Sequence, residues 1–302
     1  MYDLIIVGAG PAGITAAVYA ARKQMDFIVL SEDVGGQMTW SGDIENYTGY
    51  QFVTGTDLVS KFEEHMEKYH VPMKEFETVT GFKADAAQKT TAVRTEKGNT
   101  YESKTVIIAS GKRSRELGVP GEAQFRRRGV TYCATCDAPL YAGKDVAVVG
   151  GGNSGLEAVL QLMAIARSIS LINITDDLTG DPILREKVRA SDKVKIYNTA
   201  QVTEITGSQM VEEIIVDVAG EKRAIPVSGV FVEIGLVPNS EFVQGIEKNR
   251  WGEIIVNNRN ETNLPFVFAA GDVTDVPEKQ IIIAAGEGSK ALLSAYRYLA
   301  RL

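Results

Sequence analysis

The stretch that decides the fold runs from Tyr2 to Asp33 and reads "YDLIIVGAGPAGITAAVYAARKQMDFIVLSED". It opens on an unbroken apolar run, Leu4 to Val7, which is typical of a parallel strand that is buried on both faces. A G-x-G-x-x-G turn, an alanine-rich segment and a second apolar run, Phe27 to Leu30, follow in that order. This order predicts a strand, a glycine turn, a helix and a strand, and therefore a dinucleotide-binding unit.

The residues of this turn and the acidic residue after the second strand have different structural and binding roles in such a unit. Gly8, Gly10 and Gly13 allow a tight turn and a close approach of the backbone to a pyrophosphate, which lies at the helix N-terminus. Pro11 and Ala12 stand between the last two glycines, where the helix is expected to begin. Glu32 follows the second strand, about 20 residues beyond the turn, where an acidic side chain is expected to bind a ribose hydroxyl.

The same unit occurs a second time as "KDVAVVGGGNSGLEAVLQLMAIARSISLIN". It has one apolar strand at Val146 to Val149 and another at Ile169 to Ile172. The predicted binding residues of its turn and second strand are Gly150, Gly152, Asn153, Ser154, Gly155 and Asn173. Two such units in one chain predict two nucleotide-binding domains.

The remaining apolar strands indicate how the two domains are threaded. The segment "TVIIASG" reads as a strand of the first domain, and "TNLPFVFAAGDV" near the C-terminus reads as another, followed by a long helix. We therefore predict an α/β fold with two Rossmann-like domains, the second inserted into the first. The expected limits are residues 1–115 with 243–302 for the first domain and 116–242 for the inserted domain.

The chain has only two cysteines, Cys133 and Cys136, in the stretch "YCATCD". A disulfide between them closes too small a loop to stabilise the fold much, which favours redox chemistry over a structural bridge. Zinc usually needs four ligands, and the two histidines, His65 and His70, are expected on or near an amphipathic surface helix, so we expect no metal site. Two inert structural cysteines are the other alternative.

Asp137 directly follows the second cysteine. A carboxyl group at this position can move protons to and from a thiolate, so Asp137 is the candidate acid and base of the pair. A cap on the next turn is the alternative role, because aspartate serves well there.

Composition excludes several classes of partner. The net charge of -7 argues against nucleic acid, whose phosphates need a concentrated basic surface. No apolar run approaches the roughly 20 residues that span a bilayer, and the first residues do not read as a signal peptide. We therefore expect a cytoplasmic protein without a membrane segment, in a compartment where thiols are kept reduced.

Seven short motifs of the sequence resemble those of a known family. The motifs "GAGPAG", "GGQ", "ENY", "CATCD", "GGGNSG", "GLVPN" and "AAGD" occur in the order found in low-molecular-weight thioredoxin reductases. They are equally similar to the C-terminal module of the flavoprotein that reduces bacterial alkyl hydroperoxide reductase. The resemblance covers essentially the whole chain.

The resemblance implies FAD in the first domain and a homodimer. It implies that Cys133 and Cys136 pass electrons from flavin to the disulfide of thioredoxin or a thioredoxin-like protein, with Cys133 facing the partner and Cys136 nearer the flavin. Because the pair must contact the flavin and then a bulky protein partner, which one fixed arrangement cannot easily satisfy, we expect the inserted domain to rotate on its two connecting segments. Besides the first glycine turn and Glu32, the flavin site implied by the resemblance comprises Gly36, Gln37, Asn46, Gly111, Gly271, Asp272, Gln280 and Ile281.

The sequence departs from the family at the electron-donor site. NADPH-using members carry cations after the second strand of the inserted domain, whereas this chain has Asn173 followed by Asp176 and Asp177 there. NADH-using members carry a glutamate at the position of Asn173. NADPH is therefore disfavoured, weak NADH use is expected, and a reduced carrier such as ferredoxin is an open alternative.

Three other functions are alternatives from the sequence. The same dithiol could reduce a peroxiredoxin or a glutaredoxin-like partner. A ferredoxin-NADP reductase shares the architecture but has no cysteine pair, which counts against it here. A flavin-bearing redox sensor without catalysis is the non-enzymatic alternative, and the presence of "CATCD" disfavours it.

Overall fold

The computed structural model describes residues 1–40, 43–44, 46–132 and 134–302, without the side chains of residues 40, 43, 135 and 136. The chain divides into two compact units, which are residues Met1–Arg113 with Val237–Leu302, and residues Ser114–Leu236.

The elements are as follows in chain order. The strands are β1 (Tyr2–Val7), β2 (Phe27–Leu30), β3 (Asp43–Ile44), β4 (Val53–Thr54), β5 (Met73–Lys74), β6 (Val79–Asp85), β7 (Thr90–Thr95), β8 (Thr100–Ile108), β9 (Lys112–Ser114), β10 (Val130–Thr131), β11 (Asp145–Val149), β12 (Ser168–Ile172), β13 (Val194–Tyr197), β14 (Ala200–Gly207), β15 (Val211–Val218), β16 (Glu221–Pro226), β17 (Gly229–Val232), β18 (Leu236–Pro238) and β19 (Val267–Ala269). The α-helices are α1 (Pro11–Arg22), α2 (Gly55–Lys68), α3 (Ala134–Asp137), α4 (Asn153–Met163), α5 (Pro182–Arg189) and α6 (Ile281–Leu299), and short 3-10 helices cover Gly36–Trp40 and Ala138–Tyr141.

The first unit is built on a sheet with the strand order β5-β2-β1-β8-β7-β6. Strand β1 pairs in parallel with β2 on one side and with β8 on the other. The long strand β8 pairs in parallel with β19 along its C-terminal half and antiparallel with β7 along its N-terminal half. Because β1 lies between an early and a late strand, its C-terminal end is a topological switch point, where α/β sheets bind ligands.

The second unit repeats this plan. Its parallel sheet has the order β10-β17-β11-β12-β13, so that β11 lies between β12 and β17 as β1 lies between β2 and β8. A separate antiparallel sheet, β14-β15-β16, completes the unit. The predicted α/β class with two Rossmann-like sheets is confirmed, and the predicted strands at Phe27–Leu30 and Ile169–Ile172 lie within β2 and β12.

Small residues set the distance between α1 and α6 in the first unit. A Cβ atom built on Gly288 of α6 would lie 1.9 Å from the carbonyl oxygen of Ala12 in α1. Such a distance is far below van der Waals contact, so the two helices approach with backbone against backbone at this point. The buried alanines of α1, among them Ala16 and Ala20, pack in the same core as Leu292 of α6.

The unit boundaries fall at residues 113/114 and 236/237, where the sequence led us to expect 115/116 and 242/243. Hydrogen bonds explain why the second crossing lies earlier in the chain. The backbone N–H of Asn239 donates to the Gly111 carbonyl at 2.9 Å, and its side-chain amide donates to the Ser110 carbonyl at 2.8 Å. The Ser240 hydroxyl donates to the Gly252 carbonyl at 2.5 Å, so residues just after β18 already belong to the first unit.

Candidate functional site

The first glycine turn is closed by contacts that only glycine permits. A Cβ atom on Gly8, whose φ is +100°, would lie 2.4 Å from the Ala109 carbonyl oxygen at the end of β8. A Cβ atom on Gly13 would lie 1.9 Å from the Gly8 carbonyl oxygen, so these two glycines are required by packing. Gly10 differs, because a Cβ atom there would meet nothing within 4 Å. This open position at the start of α1 fits a pyrophosphate lying against the backbone.

Ser31 holds this turn in place, although no sequence motif singles it out. The side-chain hydroxyl of Ser31, at the end of β2, accepts a hydrogen bond from the buried backbone N–H of Ala9 at 3.0 Å. The side chain of Glu32 is exposed beyond the same strand, where a ribose hydroxyl is expected.

Other residues of the predicted flavin site come together in the first unit. A Cβ atom on Gly36 would lie 3.6 Å from the Cα atom of Gly10. The side-chain amide of Gln37 donates a hydrogen bond to the carbonyl of Lys112, next to Gly111. The structure thus brings the two glycine segments, residues 8–13 and 35–36, to the same place, while their role in binding FAD stays a prediction.

Asn46 and Gln280 also meet, although they are far apart in sequence. The side-chain amide of Asn46 donates to the Gln280 side-chain oxygen at 2.9 Å. Gln280 is the N-cap of α6, and Ile281 is its first residue. This hydrogen bond therefore joins Asn46 to the start of α6.

A charged network lies beside Asp272 and was not visible in the sequence. The Glu253 carboxylate is 2.6 Å from the Lys112 ammonium and 3.3 Å from that of Lys279. Burial alone would raise the pKa of Glu253, but hydrogen bonds from Lys112 and Asn249 and the Lys279 charge lower it. Burial raises the pKa of Asp272 against the opposing charges of Lys279 and Lys112.

The second glycine turn has the same construction as the first. A Cβ atom on Gly150 would lie 2.2 Å from the Glu233 carbonyl oxygen, and one on Gly155 would lie 1.9 Å from the Gly150 carbonyl oxygen. Gly152, the N-cap of α4, is open, since its nearest neighbour is the Thr179 hydroxyl at 3.9 Å. The two outer glycines are again needed for packing, and the middle one leaves space for a ligand.

Asn153 and Asn173 support this second turn with their side chains. The Asn153 side-chain oxygen accepts the backbone N–H of Asp181 at 2.7 Å. Asn173 is only 2% exposed, and its amide donates to the Thr175 carbonyl at 3.1 Å and to the Asn198 side-chain oxygen at 2.9 Å. The side chain predicted to replace the ribose-binding glutamate is therefore engaged within the protein.

The negative charge of the segment after β12 is partly balanced by arginines of another element, which the local sequence does not indicate. Arg189 of α5 donates a hydrogen bond to the Asp177 carboxylate, and Arg185 lies 3.7 Å from the same carboxylate and donates to the Leu178 carbonyl at 3.2 Å. These guanidinium groups lower the pKa of Asp177, with the Arg189 hydrogen bond as the largest cause. The repulsion that the sequence predicts from Asp177 is reduced by this pairing.

The redox motif lies in the second unit and is described only in part. Cys133 lies outside the described residues, and of Cys136 only the backbone, in α3, is described. The Asp137 carboxylate accepts a hydrogen bond from the Thr131 hydroxyl and makes no capping bond to the following 3-10 turn. The cap that we considered for Asp137 is therefore not formed.

Tyr132, directly before Cys133, is held in place by side chains of residues 116–126. Its hydroxyl donates to the Glu122 carboxylate at 2.8 Å, and the Arg126 guanidinium lies 5.0 Å from its ring centroid. Glu122 is 3% exposed and also accepts the backbone N–H groups of Leu117 and Gly118 at 2.8 Å and 2.7 Å. Burial chiefly raises the pKa of Tyr132, to about 12, so the phenol keeps its proton at neutral pH.

Neither a metal centre nor a membrane-spanning helix occurs in the described part of the chain. No cluster of three or more potential metal ligands is found among these residues. None of their helices combines the length and apolar composition that crossing a membrane requires.

Two glycine turns of one construction, each at the switch point of a parallel sheet, define an α/β protein with two Rossmann-type nucleotide-binding units. The pyridine nucleotide-disulphide oxidoreductase family matches residues 2–288, and the chain belongs to this family. Membership supports FAD as the cofactor, while the residues that hold it stay predictions.

Two curated relatives are similar to nearly the whole chain. One, from Escherichia coli, is a component of alkyl hydroperoxide reductase and is 42% identical over 305 residues. Another, from Bacillus subtilis, is named NADH dehydrogenase and is 41% identical over 304 residues. Each alignment covers 99% of this chain but only 58% and 59% of the relative, so the chain spans less than two thirds of their length.

Solved structures match the chain over its whole length. Thioredoxin reductase from Lactococcus lactis, in the FR conformation, is 33% identical with a TM-score of 0.82, and the match covers 100% of both chains. A ferredoxin-flavin thioredoxin reductase from Clostridium acetobutylicum is 31% identical with a TM-score of 0.55, covering 100% of this chain and 99% of that one. The predicted resemblance to thioredoxin reductases and to the hydroperoxide reductase flavoprotein is confirmed.

Proposed function

We propose that the protein is an FAD-dependent disulfide reductase that passes electrons through Cys133 and Cys136 to thioredoxin or a thioredoxin-like protein. The observation that carries the proposal is the repeated glycine turn, with an open middle glycine, Gly10 and Gly152, in each unit. One turn suits FAD and the other a nicotinamide donor, and the cysteine pair lies in the second unit. When bound, FAD supplies two-electron transfer between the donor and the cysteine pair.

The chain's own groups serve the exchange with the partner. One thiol loses its proton and attacks the partner's disulfide to form a mixed disulfide. The second thiol then attacks this mixed disulfide, which leaves a disulfide between Cys133 and Cys136 and releases the partner with two electrons and two protons gained. Asp137 is the proposed proton carrier, and its bond from Thr131 orients the carboxylate.

For the donor we propose NADH in preference to NADPH. The 2'-phosphate of NADPH needs cations, and the segment after β12 supplies none of its own. Arg185 and Arg189 are nearby, but Asp177 already pairs with both. The relative named NADH dehydrogenase agrees with this choice, whereas the ferredoxin-flavin relative keeps a ferredoxin-type carrier as the second candidate.

The deciding experiment uses the FAD-loaded protein under anaerobic conditions. NADH, NADPH and reduced ferredoxin are added in turn, and the flavin absorbance shows which of them reduces the protein. Rapid bleaching by micromolar NADPH would contradict the donor proposal. A dithionite titration should then take up four electrons per chain, two for FAD and two for the disulfide, whereas a sensor without a working disulfide takes up two.

The acceptor is tested with single variants, because the chain contains no other cysteine. Cys133→Ser and Cys136→Ser should each retain FAD and lose the reduction of thioredoxin. A peroxiredoxin is tested as acceptor in parallel, because the hydroperoxide reductase relatives suggest it, and the two rates show whether it or thioredoxin is preferred. Normal thioredoxin reduction by both variants would overturn the proposed function.

We also expect a homodimer, which sedimentation of the same samples would check.

A further inference from the structure

Glu233 takes part in the second glycine turn through its main chain. It directly follows β17, and its backbone N–H donates to the Val149 carbonyl at 2.8 Å. Its own carbonyl oxygen is the atom that a Cβ on Gly150 would meet at 2.2 Å. The position of Glu233 is therefore fixed by the turn of the proposed donor site.

The side chain of the same residue reaches the redox motif. The Glu233 carboxylate accepts a hydrogen bond from the backbone N–H of Ala134 at 3.4 Å. Ala134 is 5% exposed, directly follows Cys133 and is the first residue of α3, which contains Cys136. A carboxyl group thus contacts the peptide between the two cysteines.

This carboxyl group has an unusual proton affinity. Burial raises the pKa of Glu233 to about 7, the bond from Ala134 opposes the rise, and the charge of Glu157 in α4 adds to it. Asp137, the other carboxylate of this region, is bound to Thr131. No cation among the residues that the structure describes forms an ion pair with Glu233 to offset its charge. The group therefore changes charge within the pH range in which thiols react.

We propose that Glu233 is a positioning residue that controls the reactivity of the Cys133 and Cys136 thiols through its charge and its bond to Ala134. The inference rests on the proposed function, in which these thiols are redox-active. An ionised carboxylate close to the motif disfavours a second negative charge, so it raises the pKa of the thiols. The same coupling acts in reverse, since thiolate formation favours protonation of Glu233.

The substitution Glu233→Gln separates charge from hydrogen bonding. The glutamine oxygen can still accept the Ala134 N–H, while the side chain stays neutral at every pH. Glu233→Asp keeps the charge but shortens the side chain, and so weakens the bond. Glu212→Gln is the matched control, because Glu212 is an exposed glutamate on β15 of the same unit.

The measurement is the rate of iodoacetamide alkylation of the reduced, FAD-loaded protein between pH 5.5 and 9. Only the two cysteines of the chain can report. In the wild-type protein we expect a second inflection near pH 7 below the titration of the thiols. The Glu233→Gln protein should lack this second inflection. Its cysteines should react roughly threefold to tenfold faster than those of the wild type at pH 8, as expected for removal of a nearby like charge. Glu233→Asp should keep the inflection, and Glu212→Gln should match the wild type.

Identical profiles for Glu233→Gln and the wild type would overturn the inference. If Glu233→Gln does not fold, as judged by thermal denaturation and flavin absorbance, the wild type decides alone, and a profile with thiol inflections only would overturn it. Loss of thioredoxin reduction in the two cysteine variants tests the proposed function separately. Loss of reduction in both cysteine variants together with an unchanged Glu233→Gln profile would remove this inference and leave the proposed function standing.

Discussion

The Glu287 carboxylate accepts a hydrogen bond from the backbone N–H of Gly271 at 2.9 Å, although the two residues are 16 positions apart in the chain. The glutamate is 4% exposed, and burial chiefly raises its pKa. Gly271 has a φ of +76° and directly precedes Asp272 in the proposed flavin site. The bond therefore holds a left-handed turn at the point where the backbone is expected to meet the cofactor.

Glu287→Leu should destabilise the protein and weaken FAD binding together. The apolar side chain leaves the Gly271 N–H buried without a partner, which costs about 1–3 kcal/mol. Thermal denaturation reports the stability, and the fluorescence of released flavin reports the affinity. Glu278→Gln, a change at an exposed glutamate in the same region, should affect neither. Unchanged flavin affinity in a destabilised Glu287→Leu protein would show that the turn is not part of the flavin site.

The open glycines give a second prediction. Gly10→Val should fold, because a Cβ atom at this position meets no protein atom within 4 Å, and it should lose FAD, because the side chain enters the space of the pyrophosphate. Gly152→Val is the matched change in the other unit and should retain FAD while weakening the nicotinamide donor. Flavin absorbance per chain and donor titration compare the two variants. Full flavin content in Gly10→Val would contradict the assignment of the first turn.

Asn173→Asp should lower the stability of the folded protein, although the two side chains have nearly the same size and shape. The amide of Asn173 donates to two acceptors, the Thr175 carbonyl and the Asn198 side-chain oxygen. A carboxylate at this buried position cannot donate and faces both oxygens, so we expect a loss of about 1–3 kcal/mol in the free energy of unfolding. Urea unfolding measures this loss. Asp176→Asn, an exposed change in the same loop, serves as the control. Wild-type stability for Asn173→Asp would mean that this hydrogen-bond network does not persist in solution.

The local part of the fold could be predicted from the sequence because it follows from neighbouring residues. The apolar runs before and after each glycine turn indicate β1, β2, β11 and β12, and the structure places strands there. The long C-terminal helix likewise appears as α6. Periodicity and glycine spacing act over a few residues, so these elements need no knowledge of the rest of the chain.

The supporting contacts could not be predicted, because they join distant residues of ordinary type. Lys112 and Glu253 are 141 positions apart, and Glu233 and Ala134 are 99 apart. Neither pair forms a motif, so only the folded structure reveals which carboxylate meets which donor. The same holds for Asp177, whose arginine partners come from α5 rather than from its own loop.

The last prediction concerns acid stability and the pair formed by Asp145 and Arg167. The Arg167 guanidinium donates two hydrogen bonds to the Asp145 carboxylate, one of them at 2.8 Å, and the Ser168 hydroxyl donates another at 2.7 Å. The Arg167 bond is the largest cause that lowers the pKa of Asp145, from 3.8 to about 2. A carboxyl group with a lowered pKa stabilises the folded state above its unfolded pKa, and this contribution is lost as the pH falls through the folded value.

Asp145→Asn should therefore lower the free energy of unfolding at pH 7 by about 0.5–1 kcal/mol, since solvent screening limits so exposed a pair. The difference from the wild type should shrink as the pH falls from about 4 towards about 2. Urea unfolding at pH 7, 4 and 3 measures it. Asp192→Asn, at an exposed aspartate of the same unit, is the control and should follow the wild type. A difference that stays constant over this range would show that the charge of Asp145 does not contribute to stability.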